Sequence, residues 1–235
     1  MRATPMTETA AATARVLAVQ NYPGDRMLLR LDTTLAAAAG PGQMLRIDGA
    51  AWPILQRVPG TQALDCLGRG PAPPVGTHVP VVTLEGVAFD LTAATPRALL
   101  LADDAGLASG IFLARVLRNH QPRVKPFALF ELTPPLPFQP QPSRTMVPGI
   151  PAEAIAALPL LEDWRIPSRI ACPTGGQPGS FDGPLVELAQ GWLAVLQGVA
   201  DITLFACGGA ALHSTAQTLA AAYRLPCQTR AIPLC

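Results

Sequence analysis

The feature that most constrains this chain is a change of hydrophobic period near Pro96. Before it, short apolar runs are separated by turn residues. After it, apolar strand-like runs are each followed by a turn and then by a segment with helical spacing. A segment whose side chains repeat every two residues and one whose repeat is 3.6 bury their apolar faces differently, so the two halves imply different layers.

In the first half, Ala14 to Gln20 and Arg26 to Asp32 are strand-like and flank Asn21-Tyr22-Pro23-Gly24-Asp25, a turn composition. Pro41-Gly42-Gln43 leads into Met44-Leu45-Arg46-Ile47-Asp48, whose alternation predicts a strand with one buried face. Leu64 to Leu67 and His78 to Leu84 are further short strands on either side of a Gly- and Pro-rich stretch, 68–76. Several short strands at this spacing predict a small antiparallel barrel or sandwich. In the second half, Ala98-Leu99-Leu100-Leu101-Ala102 predicts a buried strand and Asp103-Asp104-Ala105-Gly106 a turn. Leu107 to Asn119 predicts a helix with Arg115 and Arg118 outward. Lys125 to Leu132, Ser168 to Cys172 and Ile202 to Cys207 are further strands, the last followed by Gly208-Gly209 and a helix over Ala211 to Tyr223. Alternating strands and helices imply a parallel sheet. The expected organisation is therefore an antiparallel β-barrel over 1–92 and an α/β domain over 93–235. Thr133 to Gly149, rich in proline, is expected to be an irregular surface loop.

Composition narrows function. Seventeen Lys and Arg against 16 Asp and Glu give a net charge of +1, without the basic excess that phosphate-backbone binding needs, so no nucleic-acid partner is expected. The most apolar stretch, Ala98 to Leu117, is interrupted by Asp103, Asp104 and Arg115, which argues against a membrane span. Met1 to Ala14 lacks the apolar core of a secretory signal, so a cytoplasmic location is expected. Five scattered cysteines and three dispersed histidines form no metal-ligand spacing and are read as free thiols and isolated side chains.

In an open parallel sheet, ligands bind beyond the carboxyl ends of the strands, which draws notice to 102–106 and 206–209. Cys207, between a strand and a helix N-terminus, is a candidate reactive thiol, because such a position can lower a thiol pKa. The competing reading is a small buried residue. Asp104 is expected to cap the following helix. His213 is a further candidate, and Trp52, Trp164 and Trp192 are read as packing anchors.

The order of Pro41-Gly42-Gln43, Arg57-Val58-Pro59-Gly60, Gly68-Arg69-Gly70-Pro71, the 102–106 turn, Gly175 to Gly183, Ala206-Cys207-Gly208-Gly209 and Pro226-Cys227-Gln228-Thr229 resembles the ferredoxin–NADP reductase superfamily. Within it the chain is most similar to the electron-transfer subunit of dihydroorotate dehydrogenase. The resemblance implies a flavin-binding barrel and a nucleotide-binding domain, FAD and NAD(P) as cofactors, and a redox partner protein or subunit, with a homodimer among the states it admits. It also implies roles for Arg57 at the flavin pyrophosphate, for Gly68, Arg69 and Gly70 in the flavin turn, for Gly106, Gly208 and Gly209 at the nucleotide, and for Cys207 near the nicotinamide.

The chain departs from the family's pattern in four places. Gly60 stands for the Ser of R-P-x-S, Pro71 for the Thr of G-K-G-T, and Asp103-Asp104 for glycines of the nucleotide turn. The cysteines of a [2Fe–2S] segment do not follow, so no iron–sulfur cluster is expected within the chain, leaving Cys227 and Cys235 without one. Two functional classes follow: a flavin-dependent oxidoreductase passing electrons between NAD(P)H and a partner, and a non-catalytic relative serving as a binding or scaffold subunit of a redox complex.

Overall fold

The computed structural model describes residues 10–120 and 124–233. Residues 1–9 of the N-terminal segment and Cys235 lie outside them. Six antiparallel strands close into a barrel in the order β1-β2-β5-β4-β3-β6: β1 (Ala10–Tyr22), β2 (Arg26–Asp32), β3 (Met44–Ile47), β4 (Ala50–Arg57), β5 (Ala63–Arg69) and β6 (His78–Glu85). Closure pairs every strand on both sides and leaves no edge for another chain to extend. The turns between β1 and β2 and between β3 and β4 both use positive φ, at Gly24 and Asp25 (72° and 55°) and at Asp48 and Gly49 (48° and 82°). The second is the Asp-Gly pattern of a two-residue hairpin. It launches β4, a strand the alternation did not reveal, because its residues 51–55 are buried without interruption and Pro53 stands in its middle.

The second layer is a five-stranded sheet in the order β11-β8-β7-β12-β13, every pair parallel. Its strands are β7 (Arg97–Ala102), β8 (Lys125–Glu131), β11 (Ser168–Ala171), β12 (Ile202–Gly208) and β13 (Cys227–Ala231). A short antiparallel pair, β9 (Gln141–Pro142) and β10 (Ala156–Ala157), gives the proline-rich stretch one regular contact. The helices are α1 (Leu107–Arg118), α2 (Pro159–Asp163), α3 (Leu185–Ala194) and α4 (Ala210–Tyr223).

The pleat of β7 sorts its side chains between two cores. Ala98, Leu100 and Ala102 face α1, and Leu99 and Leu101 face α3 and α4. The α1-side core continues through Met44, Ala51, Leu55 and Leu67 of the barrel, so barrel and sheet share one apolar cluster. Trp52, Leu29, Leu45 and Ile54, each fully buried, fill the barrel interior, into which Phe112 of α1 also packs.

The segment between β6 and β7 is held by β13. Arg230 donates to the carbonyls of Val87 (Nε, 2.8 Å) and Ala88 (Nη2, 2.9 Å) and lies over the Phe89 ring. Gln228 accepts from Asp90 N at 2.9 Å and donates to Asp90 O at 2.7 Å.

Candidate functional site

The sheet order fixes where a ligand crevice must lie. From β7 the chain moves outward to β8 and β11, then returns to β12 on the other side of β7. The switch point therefore falls between the carboxyl ends of β7 and β12. The sequence brings Asp103 to one side of that gap and Cys207-Gly208-Gly209 to the other, with the N-terminus of α1 above them.

The crevice is occupied by the chain itself. The Asp103 carboxylate accepts from Ala105 N and Gly106 N at 3.0 Å through Oδ1, and from Gly209 N at 2.7 Å through Oδ2. Backbone N–H groups around a helix start attract anions, and here a carboxylate of the same chain bonds those of Ala105 and of the two N-cap residues, Gly106 and Gly209. Two glycines permit the close approach. A Cβ on Gly106 would lie 1.8 Å from the Cys207 carbonyl oxygen, and one on Gly208 would lie 2.4 Å from the Asp103 carboxyl. Gly106 and Gly208 therefore let the two loops touch, and the room they leave is taken.

Asp104 does not cap α1. The N-cap is Gly106, and the carboxylate bonded to the N–H groups just before the helix is that of Asp103. Asp104 instead turns to the barrel, where its Oδ1 accepts from Arg26 Nη2 at 2.7 Å and its carbonyl oxygen accepts from the same nitrogen at 2.9 Å. Its Oδ2 accepts from Thr133 N at 2.9 Å. Arg26 is 6% exposed. Burial pulls its guanidinium below the ordinary arginine value; Asp104 opposes that shift and the charge of Arg69 adds to it. Sequence reasoning missed Arg26, since nothing in the pattern of β2 marks an inward arginine as the partner of a turn 78 residues away.

Cys207 is 1% exposed. Its Sγ donates to Gly106 O at 3.6 Å, and burial, with the Asp103 charge beside it, pushes the thiol well above the ordinary cysteine range. Burial and the Asp103 carboxylate, which also accepts from Gly209 N before α4, both act against the activated thiol expected at this position. His213 sits in the first turn of α4 with a buried Nε2 that has no hydrogen-bond partner. Among the described residues no group of three or more His, Cys, Asp or Glu is arranged to hold a metal.

Between barrel and sheet lies a cleft lined by Arg26, Pro53, Leu67, Gly68, Arg69, Asp104, Ala105 and Pro233, with a cavity volume of about 20 Å³. That is room for about one water molecule. Gly68 lines it and packs its backbone on Trp52, whose ring a Cβ there would meet at 2.9 Å, and Gly70, at φ 103°, has open space around it. The Nε of Arg69 is buried without a partner.

Arg57 is elsewhere. Exposed at the end of β4, it donates from Nε to Ala39 O at 2.6 Å and lines a separate surface groove with Phe112 and Arg115. It does not line the cleft that Gly68 and Arg69 line. Of β4, Pro53 lines the wall of the cleft.

The 175–183 stretch follows β11 at the far edge of the sheet from β13, away from the switch point. Cys227 opens β13 and is half-buried. Trp192 packs on Phe127 at a ring separation of 5.2 Å, and Trp164 lies under the Arg115 guanidinium at 4.7 Å, so both act as packing anchors.

Solved structures of the same shape include reductases. The Amycolatopsis cytochrome P450 reductase superposes with a TM-score of 0.68 at 12% identity, covering 95% of this chain and 70% of that one. A ferredoxin reductase in carbazole 1,9a-dioxygenase gives 0.68 at 14%, covering 97% and 71%. A ferredoxin NADP+ reductase from Neisseria gonorrhoeae, solved with bound FAD and NADP, gives 0.62 at 10%, covering 96% and 99%. The fold is the ferredoxin reductase fold. No protein-family model matches the sequence, and no curated protein is similar to it. At these identities the likeness is one of architecture: a closed six-stranded barrel followed by a five-stranded parallel sheet with helices. Among the described residues no helix is long and apolar enough to cross a membrane.

Proposed function

We propose that this chain is a ferredoxin-reductase-fold subunit of a redox complex that binds a partner protein and does not itself accept hydride. The observation that carries this reading is the Arg26–Asp104 pair, which ties barrel to sheet and leaves a cleft of only about 20 Å³ between them. The neighbours named above are reductases, but a shared fold does not fix a shared activity, and the cleft argues from the site. The enclosed part of the cleft, about 20 Å³, is too small for a flavin ring system, and the residue of β4 that lines it is Pro53, an apolar side chain where the resemblance implies polar contacts to a flavin. The resemblance of Cys207-Gly208-Gly209 and Pro226-Cys227-Gln228-Thr229 makes a dihydroorotate dehydrogenase catalytic chain the first partner to test.

A second reading is favoured by a different observation. Arg69 holds an unpartnered buried Nε beside the open backbone of Gly70, a cation and a turn that suit a phosphate group. On that reading the chain is a flavin-dependent oxidoreductase passing electrons between NAD(P)H and a partner. Arg69 with Gly68 and Gly70 would hold the flavin, whose own chemistry supplies the electron transfer.

An absorption spectrum separates the two. The protein, purified without added cofactor and then mixed with FAD and NADH under anaerobic conditions, is expected to be colourless and to retain no flavin after gel filtration. A retained flavin band that bleaches with NADH would establish the second reading instead.

A further inference from the structure

We infer that the Asp103 carboxylate is a built-in occupant of the anion seat at the switch point, so that the native chain excludes diphosphate-type ligands, nicotinamide dinucleotides among them, from this crevice. The inference rests on the reading that the chain does not accept hydride, and gives that reading a cause at atoms other than those of the barrel–sheet cleft.

The seat has three donors from two separate segments. Ala105 N and Gly106 N lie in the turn that leads into α1, a helix of 12 residues whose N-cap is Gly106, and Gly209 N follows β12. All three converge on one carboxylate, which carries the kind of charge and the two-oxygen geometry that a phosphate group would offer. The two loops are already in contact. Gly106 approaches the Cys207 carbonyl more closely than any side chain would allow, and Gly208 does the same to Asp103. A diphosphate entering this space would have to displace a covalently attached anion whose local concentration is permanent, and would meet the charge of Asp103 while doing so. The neighbouring Asp104 is not part of the seat, since both of its carboxylate oxygens are engaged with Arg26 and Thr133.

The test is a gain of binding. Inorganic pyrophosphate is titrated into the native chain, Asp103→Ala, Asp103→Asn and Asp104→Asn, at ionic strength matched with sodium chloride. Binding is followed by calorimetry and by the amide resonances of Ala105, Gly106 and Gly209. The native chain is expected to leave all three amides unmoved at millimolar pyrophosphate. Asp103→Ala, with its three donors freed, is expected to bind at least about tenfold more tightly than the native chain. Asp103→Asn, which keeps an acceptor for Ala105 and Gly106 but loses the charge, is expected to gain less, and Asp104→Asn to gain nothing.

Pyrophosphate that shifts the Gly209 amide of the native chain overturns the inference. So does a folded Asp103→Ala no tighter than native, or an Asp104→Asn gain equal to that of Asp103→Ala. Should Asp103→Ala not fold, the native amides and Asp103→Asn decide the matter. A native protein that retains flavin but ignores pyrophosphate would defeat the proposed function while leaving this inference standing.

Discussion

The barrel interior and the switch-point crevice are both places where a fold of this kind could leave room, and this chain fills them by opposite chemistry. The barrel is filled by area: Trp52, Leu29, Leu45 and Ile54 are fully buried, and their stabilisation is non-directional. The crevice is filled by direction: one carboxylate, three N–H groups and two glycines whose missing side chains let the loops meet. An apolar filling tolerates exchange of one large side chain for another with modest loss. A filling built on hydrogen-bond geometry fails at a single atom.

The largest contrast to test is in thiol chemistry, because each region holds one cysteine. Cys66 in the barrel and Cys207 at the crevice are buried, and burial pushes both thiols far up, with Asp65 and Asp103 respectively adding to the shift. Alkylation under native conditions, mapped by mass spectrometry, is expected to spare both while labelling half-buried Cys227. Labelling of Cys207 but not Cys66 would show that the crevice opens and the barrel does not.

Next in size is Gly106→Ala, whose methyl group would overlap the Cys207 carbonyl. A loss of more than about 4 kcal/mol, read by urea denaturation, is expected. Trp52→Ala should cost about 3–5 kcal/mol, the range for emptying a large buried aromatic site, whereas Trp52→Phe should recover much of it. If Phe recovers nothing, the barrel too is held by specific geometry and the contrast collapses.

Asp104→Ala leaves the buried Arg26 guanidinium without its carboxylate and should cost about 2–3 kcal/mol. The same change should also loosen the cleft, seen as faster amide exchange at Ala105.

The smallest effect belongs to the barrel surface. The Arg46 hydrogen bond is the chief cause holding Glu85 below its ordinary value. A carboxyl depressed in the folded state adds stability above its unfolded pKa and loses it as pH falls through the folded value. With side chains 39% and 30% exposed, the pair is expected to contribute only a few tenths of a kcal/mol, lost in Glu85→Gln when pH series are compared.

Much of the architecture was legible in the chain. The 14–20, 26–32, 44–48, 64–67 and 78–84 runs fall on barrel strands, with Asp48 the turn residue after β3, and each strand expected after Pro96 lies in the parallel sheet. What escaped did so for stated reasons. Strand β4 hid because burial on both faces removes alternation and Pro53 argues against a strand interior. Helix α3 hid behind the proline and glycine of 173–184. That Arg57 lies on a surface groove apart from the cleft depends on where β4 ends against α1, which the motif does not carry.

The division between sequence and structure is clearest at Asp103 and Asp104. Composition and pattern determined that two carboxylates stand at a turn between a buried strand and a helix, where the resemblance implies glycines. They also determined that the turn lies at the carboxyl end of a parallel strand. Which carboxylate faces which partner was decided only in three dimensions. Arg26 is 78 residues from Asp104, and Gly209 is 106 residues from Asp103. Hydrogen bonds of that range leave no periodic trace in a sequence, because they depend on how barrel and sheet dock and not on the local spacing of side chains.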